Sequence, residues 1–291
     1  MKRLLACLAL LVACTPAVAS VSVVDDAGRT VVLPAPARRI VSLAPNITDT
    51  LFAAGAGNYV LGTSRFTEYP AEAKKVPVVG DATMIDLERI VGLKPDIVIV
   101  WKSGNAAAQV DKLVRLGLPV FYAETTRLAD IPSAVRRFGV LAGTEDTAER
   151  RARAFESSLK TLRTAYAGKR RLRVFYQVWD RPLMTVGHAQ IIDDALDLCG
   201  GDNIFADLTQ AAPTVGREAV IARRPDVILG GGDGGALDDW KRTGFLPAAR
   251  NGNVLSLDAP TLALPSPSIL SGVTTLCRVL DEARSRVSKH P

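Results

Sequence analysis

The sequence predicts an α/β protein built from two similar lobes, and three observations carry that prediction. A helix–strand unit occurs twice, as Leu87-Glu88-Arg89-Ile90-Val91-Gly92-Leu93-Lys94-Pro95-Asp96-Ile97-Val98-Ile99-Val100 and as Arg217-Glu218-Ala219-Val220-Ile221-Ala222-Arg223-Arg224-Pro225-Asp226-Val227-Ile228-Leu229-Gly230. Glu88 and Glu218 stand 130 positions apart (218 − 88), as do Pro95 and Pro225. Each copy starts with apolar residues at i, i+3 and i+4, an amphipathic helix. It breaks at proline, which lacks an N–H and disfavours helix in the residue before it. It then runs into β-branched residues that read as a buried parallel strand. The second observation is an echo of Phe52-Ala53-Ala54-Gly55-Ala56-Gly57-Asn58 in Asp197-Leu198-Cys199-Gly200-Gly201-Asp202-Asn203. The third is a helical stretch from about Ile131 to Ala167, the longest in the chain, lying between the two halves. Gly139 and Gly143 fall inside it and invite a break, with Thr144, Thr147 and Glu149 suited to start a second segment.

Taken in order, Val21 to Val24 and Thr30 to Leu33 flank the polar turn Asp25-Asp26-Ala27-Gly28 and predict a hairpin. Arg39 to Leu43 is a strand, Thr48 to Ala54 a helix ended by Gly55 and Gly57, and Val60 to Thr63 a strand followed by the loop Arg65-Phe66-Thr67-Glu68-Tyr69-Pro70. After the first repeated unit come Trp101-Lys102-Ser103-Gly104-Asn105, a helix from Gln109 to Leu116 and a strand Val120 to Tyr122. Leu172 to Val178 restarts the alternation, Ile191 to Leu198 is a helix, and Val254 to Leu257 is a strand. A terminal helix from about Pro267 to Val287 closes the chain.

A length of 291 residues, with 48% hydrophobic and 23% charged residues, suits an ordinary globular chain of two domains. Residues 1–19 read as a secretory signal: Lys2-Arg3 supply the charged start, and Leu4 to Ala13 an apolar stretch too short to span a bilayer. Ala17-Val18-Ala19 before Ser20 fits an ordinary cleavage site, and Leu11-Val12-Ala13-Cys14 fits a lipobox in which Cys14 is acylated; the soluble form is favoured. Loss of Lys2 and Arg3 lowers the net charge from +6 to +4. The basic residues are scattered and no aromatic pattern surrounds them, which argues against nucleic-acid binding. Cys199 and Cys277 remain as an even pair in an oxidising compartment; a disulfide is expected, with two buried free thiols as the alternative.

Chemistry-bearing motifs are few. There is no P-loop, GxSxG or HExxH, and the two histidines, His188 and His290, are too few for a cage of imidazoles. The glycines from Gly230 to Gly235 match GxGxxG after a strand, but a tight strand-end turn explains them as well and the first lobe has no counterpart. Trp101 stands at the C-terminal end of a buried strand, where open α/β sheets bind ligands, and an indole there can stack on a flat molecule. Trp179, ending the strand that starts at Arg173, is given the matching place in the second lobe. Phe66, Tyr69 and Met184 lie in loops on the same side. Either glutamate of the repeat is explained alone by the helix dipole; finding both at one place invites a second role.

These residues resemble the helical-backbone substrate-binding proteins of bacterial ABC importers, which carry siderophores, haem and cobalamin, and within them the periplasmic cobalamin binders. The resemblance covers nearly all of the mature chain. It is strongest at Arg39-Ile40-Val41-Ser42-Leu43-Ala44-Pro45, Leu87-Glu88-Arg89-Ile90, Lys94-Pro95-Asp96 and Leu198-Cys199-Gly200-Gly201-Asp202-Asn203-Ile204-Phe205. It implies two Rossmann-like α/β lobes joined by one long rigid helix, with the ligand cleft between them. It implies a signal peptide over 1–19, an N-terminal lobe over 20–128, a linker helix over 129–168 and a C-terminal lobe over 169–291. It implies that Glu88 and Glu218 dock onto arginines of the inner-membrane permease, and that Cys199 pairs with Cys277. Trp101 to Asn105 resembles the cobalamin binders' tryptophan loop, and Phe66 an aromatic cleft position. The chain departs from them at Asp81-Ala82-Thr83-Met84, which has no tryptophan, at Ala212, and at Met184 where a ring is usual.

The expectation is therefore a periplasmic, monomeric carrier, not an enzyme. It needs no cofactor or metal, holds a corrinoid against Trp101, Phe66, Met184, Trp179 and Tyr69, and delivers it to an ABC importer. A haem or ferric-siderophore carrier on the same fold is the alternative, with Tyr69, Tyr122 or His188 as the axial candidates for haem. A periplasmic hydrolase using His188 is the third reading.

Overall fold

Apolar runs and helix breakers alternate along the chain, and the elements fall where they do. In the computed structural model, which describes residues 20–188, 190–231 and 234–287, β1 (Val21–Val24) and β2 (Thr30–Leu33) form an antiparallel hairpin. Val21, Val23, Val31 and Leu33 face inward while Val24 and Val32 face solvent, the two-residue period of a half-buried strand. The predicted signal, both cleavage sites, Cys14 and His290 lie outside the described residues.

The first α/β unit runs through β3 (Ile40–Ser42), α1 (Pro45–Ala53), β4 (Val60–Gly62), α2 (Leu87–Gly92), β5 (Ile97–Trp101), α3 (Ala107–Arg115) and β6 (Val120–Ala123). Then come α4 (Ile131–Ala142) and α5 (Glu145–Tyr166). The second unit has β7 (Leu172–Gln177), α6 (Ile191–Leu198), β8 (Gly201–Asn203), α7 (Arg217–Ala222), β9 (Val227–Gly230), α8 (Asp238–Lys241), α9 (Pro247–Arg250), β10 (Val254–Ser256) and α10 (Ile269–Val287). The sheets are ordered β4-β3-β5-β6 and β8-β7-β9-β10, all parallel. The two orders coincide, so β3, β4, β5 and β6 correspond to β7, β8, β9 and β10.

The duplication extends to side chains. Lys94 and Arg224, just before the prolines, take left-handed φ values of 45° and 44°. That conformation costs an L-residue about 1–2 kcal/mol. The same bonds hold both corners: Asp96 and Asp226 donate their N–H to the carbonyls of Arg39 and Arg173 at 2.8 Å. Their carboxylates accept the N–H of Arg39 and of Arg173, each at 2.9 Å. The Arg39 guanidinium caps the Leu93 and Lys94 carbonyls, and that of Arg173 caps Arg223. These bonds satisfy carbonyls that a helix end leaves free.

The stretch over 129–168 is two helices, not one rod. Gly143 turns left-handed at φ 62° and ends α4; only glycine adopts that conformation without strain. α5 then doubles back on α4 so closely that a Cβ on Gly139 would lie 2.3 Å from that of Ala148. Arg136 of α4 bridges Glu149 and Glu156 of α5 at 2.6 and 2.7 Å. α4 packs on α1 and β1, which leaves α5, 22 residues long, as the connecting helix; at 1.5 Å per residue it reaches about 33 Å.

One apolar core joins the halves. It takes Ile40, Ile97 and Ile99 from the first sheet, Phe138 and Phe155 from α4 and α5, and Val174, Val227 and Leu276 from the second half. Separate clusters fill the opposite sheet faces, around Val98 and Val100 in one half and Phe175, Ile228 and Trp240 in the other. Three polar bonds also cross between the halves, made by two carboxylates. The Asp49 carboxylate accepts the Ser268 hydroxyl and N–H at 2.9 and 3.1 Å, and Asp194 accepts the Leu128 N–H at 2.7 Å. Cys199, at the end of α6, and Cys277, in α10, form a disulfide with Cα atoms 4.8 Å apart, both fully buried.

Candidate functional site

Parallel sheets put the loops that follow their strands on one edge. In the first half that edge is stitched by main-chain bonds. Thr63 donates to the Pro77 carbonyl at 2.9 Å and Arg65 to Gly80 at 2.7 Å, while Ala106 donates to Ala82 at 3.1 Å. The loops carrying Phe66, Met84 and Trp101 are thereby neighbours. Beneath them runs a buried hydroxyl chain: Thr48 Oγ1 donates to Ser42 Oγ at 2.8 Å and lies 2.7 Å from Thr63 Oγ1, which is 3.1 Å from Thr67 Oγ1. Phe66 sits on this platform at a left-handed φ of 66°, the residue 77% exposed. A strained backbone that presents an apolar ring to water is a mark of a functional position. Tyr69 is half-buried in the same loop.

Met84 is as prominent, 71% exposed. With Arg65, Val78, Asp81 and Arg89 it lines a hollow of about 540 Å³. Asp81 fixes that loop by accepting the N–H groups of Thr83 and Met84, both at 2.9 Å. Those bonds and the Thr83 hydroxyl hold its carboxyl below the usual range.

Trp101, the last residue of β5, is half-buried, and its indole N–H donates to Glu124 at 3.1 Å. In the second half Trp179 and Met184 come together in one small hairpin: Met184 donates its N–H to the Trp179 carbonyl at 3.0 Å, and Val178 donates to Met184 at 2.9 Å. Met184 pairs onward with Thr214, so the Ala212 loop borders the hairpin. Trp179 is 62% exposed, its indole N–H bonded to the Arg181 carbonyl at 3.1 Å. The candidates thus form two groups, Phe66, Tyr69 and Trp101 on one half and Trp179 and Met184 on the other. The matching of Trp179 to Trp101 does not hold. Trp179 follows β7, the counterpart of β3, whereas the counterpart of β5 is β9, which ends at Gly230.

The haem-ligand candidates are partly engaged. The Tyr122 ring lies under the Arg29 guanidinium, 4.1 Å away. His188 Nδ1 is 3.4 Å from Asp193, whose carboxyl burial pushes up. Among the described residues no group of three or more His, Cys, Asp or Glu side chains is placed to hold a metal ion. Glu88 and Glu218 occupy the first turns of α2 and α7, both exposed.

The periplasmic binding protein family model matches residues 40–261. The chain belongs to the periplasmic binding protein family. Its curated relatives include the vitamin B12-binding protein of Vibrio parahaemolyticus, 32% identical over 255 residues, which cover 86% of this chain and 92% of that protein. The vitamin B12-binding protein of Yersinia pseudotuberculosis is 34% identical over 83% of this chain and 86% of its own. Among solved structures, the periplasmic vitamin B12 binding protein of Vibrio cholerae superposes with a TM-score of 0.79 at 32% identity, covering 86% of this chain and 98% of that one. The periplasmic heme-binding protein of Roseiflexus sp. RS-1 does so with a TM-score of 0.74 at 25% identity, covering 84% and 98%. The superposition on the Vibrio cholerae protein bears out the two-lobe α/β architecture expected from the repeat, and the family is one of periplasmic proteins. Among the described residues no helix is long and apolar enough to cross a membrane.

Met84, noted above only within a loop that has no tryptophan, and Glu124 are candidate residues that the sequence did not single out. Met84 was visible as an apolar residue in a polar loop. Glu124 gave no signal, because the indole it bonds lies 23 positions away.

Proposed function

We propose that this protein captures a cobalamin-type corrinoid in the periplasm and delivers it to an ABC importer of the inner membrane, with no chemical step of its own. The observation that carries the reading is the 32% identity to vitamin B12-binding relatives across 86% of the chain. The exposed rings at the C-terminal edges of both sheets support it. Trp101, Phe66 and Tyr69 on residues 20–128, and Trp179 and Met184 on residues 169–291, cover the macrocycle's faces, and residues 129–168 act as the link. Burial of apolar area at about 25 cal/mol per Å² supplies the affinity, and polar loop groups fix orientation. Glu88 and Glu218, exposed at equivalent helix starts, meet cationic side chains of the permease. The receptor works as a monomer, after cleavage at Ala19 or, if Cys14 is acylated, tethered to the membrane.

The test is titration with cyanocobalamin and with haemin, followed by calorimetry and absorption spectroscopy. Saturable cobalamin binding is expected. A shifted Soret band with haemin and no heat with cobalamin would replace this reading with the haem one, which the Roseiflexus relative supports.

A further inference from the structure

The indole of Trp101 is held from three directions. Its Nε1–H donates to one oxygen of Glu124 at 3.1 Å, and the other oxygen accepts the Ser103 N–H at 2.9 Å, which closes the loop behind the ring. The six-membered ring rests directly on Gly104, where a Cβ would lie 1.8 Å from Cε3. The main chain is fixed by Asn105, whose Oδ1 accepts the Trp101 N–H at 2.7 Å and whose Nδ2 donates to the Leu43 carbonyl at 3.1 Å. Glu124 is braced in turn. Its N–H donates to Asp26 at 2.8 Å, and Asp26 pairs with Arg137 of α4 at 2.9 Å. Lys102 Nζ donates to the Asp26 carbonyl at 2.9 Å. Among the described residues no cation pairs with the Glu124 carboxylate itself, so the hydrogen bonds it accepts are those of the indole and the loop.

We propose that Glu124 is a positioning residue for ligand capture: its carboxylate locks the Trp101 indole in the orientation the ligand meets, so the ring is set before binding rather than ordered by it. The inference rests on the reading that Trp101 contacts the ligand. Carboxylate–donor bonds are stronger than neutral ones, and a side chain ordered in advance spares its ordering cost at binding. Gly104 serves the same end, since any side chain there displaces the ring.

The experiment measures cyanocobalamin affinity by calorimetry for Glu124→Ala, Trp101→Phe, the double variant and Trp101→Ala. It adds acrylamide quenching of the free protein in a Trp179→Phe background. In that background Trp101 is the quenchable indole, because the third tryptophan, Trp240, is 2% exposed. Glu124→Ala should weaken binding about threefold to tenfold and increase quenching. It should have no further effect on Trp101→Phe, which keeps a ring but has no N–H to hold. Trp101→Ala weakened while Glu124→Ala binds and quenches like the parent overturns the positioning role alone. Equal effects of Glu124→Ala with and without the indole N–H overturn it too. Parental affinity in Trp101→Ala overturns this role and the contact reading together. If cobalamin does not bind at all, the proposed function falls, and unchanged quenching would then remove the lock as well.

Discussion

Replacing Cys199 and Cys277 together by alanine should cost about 4.5 kcal/mol of stability. The bridge closes a span of 78 residues, and the chain entropy it removes from the unfolded state scales with the logarithm of that length. Alanine avoids placing hydroxyls in a site with no exposed surface. The bridge also joins α6 to α10, the two helices at or beside which Asp194 and Ser268 make the bonds between the halves. For a chain of this size, 1 kcal/mol moves the melting temperature by about 2–4 °C, so a fall of roughly 9–18 °C is expected. Calorimetric melts of the double variant, and of the parent in reductant, should agree. A loss below about 1 kcal/mol, or a parent indifferent to reductant, would refute the reasoning.

Trp101→Ala should weaken cobalamin binding by about 2 kcal/mol, roughly thirtyfold, as truncation of an aromatic anchor does; calorimetry checks it. Glu88→Ala with Glu218→Ala should leave affinity intact and lower cellular uptake, measured with labelled cobalamin; normal uptake would count against docking. Gly139→Val should destabilise the α4–α5 contact by about 1–3 kcal/mol, since the Ala148 methyl already occupies the space; a denaturant melt reads it. Bonds from Arg136 and then Arg153 hold the Glu149 carboxyl at about 2, below its ordinary 4.5. A depressed folded value means the contribution is present above pH 4.5 and fades as pH falls towards 2. Stability followed over that window should flatten in Glu149→Gln.

The repeat was legible because its signals are local. An amphipathic turn, a proline and a β-branched run do not depend on what packs against them. The bonds by which Arg39 and Arg173 hold those corners were not legible, because each arginine stands 50 or more positions earlier. The break at Gly143 was visible because its signal too is local. β8 was not: Gly201-Asp202-Asn203 has poor strand propensity and is extended only because β7 offers it a parallel partner. The candidate rings were legible as types, since apolar residues in loops after strands are unusual. Their grouping was not. Trp179 ends a strand as Trp101 does, and only the sheet order shows that the two strands are not equivalents. The brace behind Trp101 was hidden because Asp26, Glu124 and Arg137 lie far apart in sequence and each reads alone as an ordinary surface charge.

The bonds of Asp49 to Ser268 and of Asp194 to Leu128 have a consequence for traffic through the importer. A shell riveted at these points, with a shared core and α5 behind them, has little room to swing. If Glu88 and Glu218 are the docking points proposed above, the gap between them should be nearly the same in the filled and the empty shell. A membrane machine that grips those handles cannot gauge by their spacing whether freight is aboard, and must either probe the freight or pry the shell apart itself.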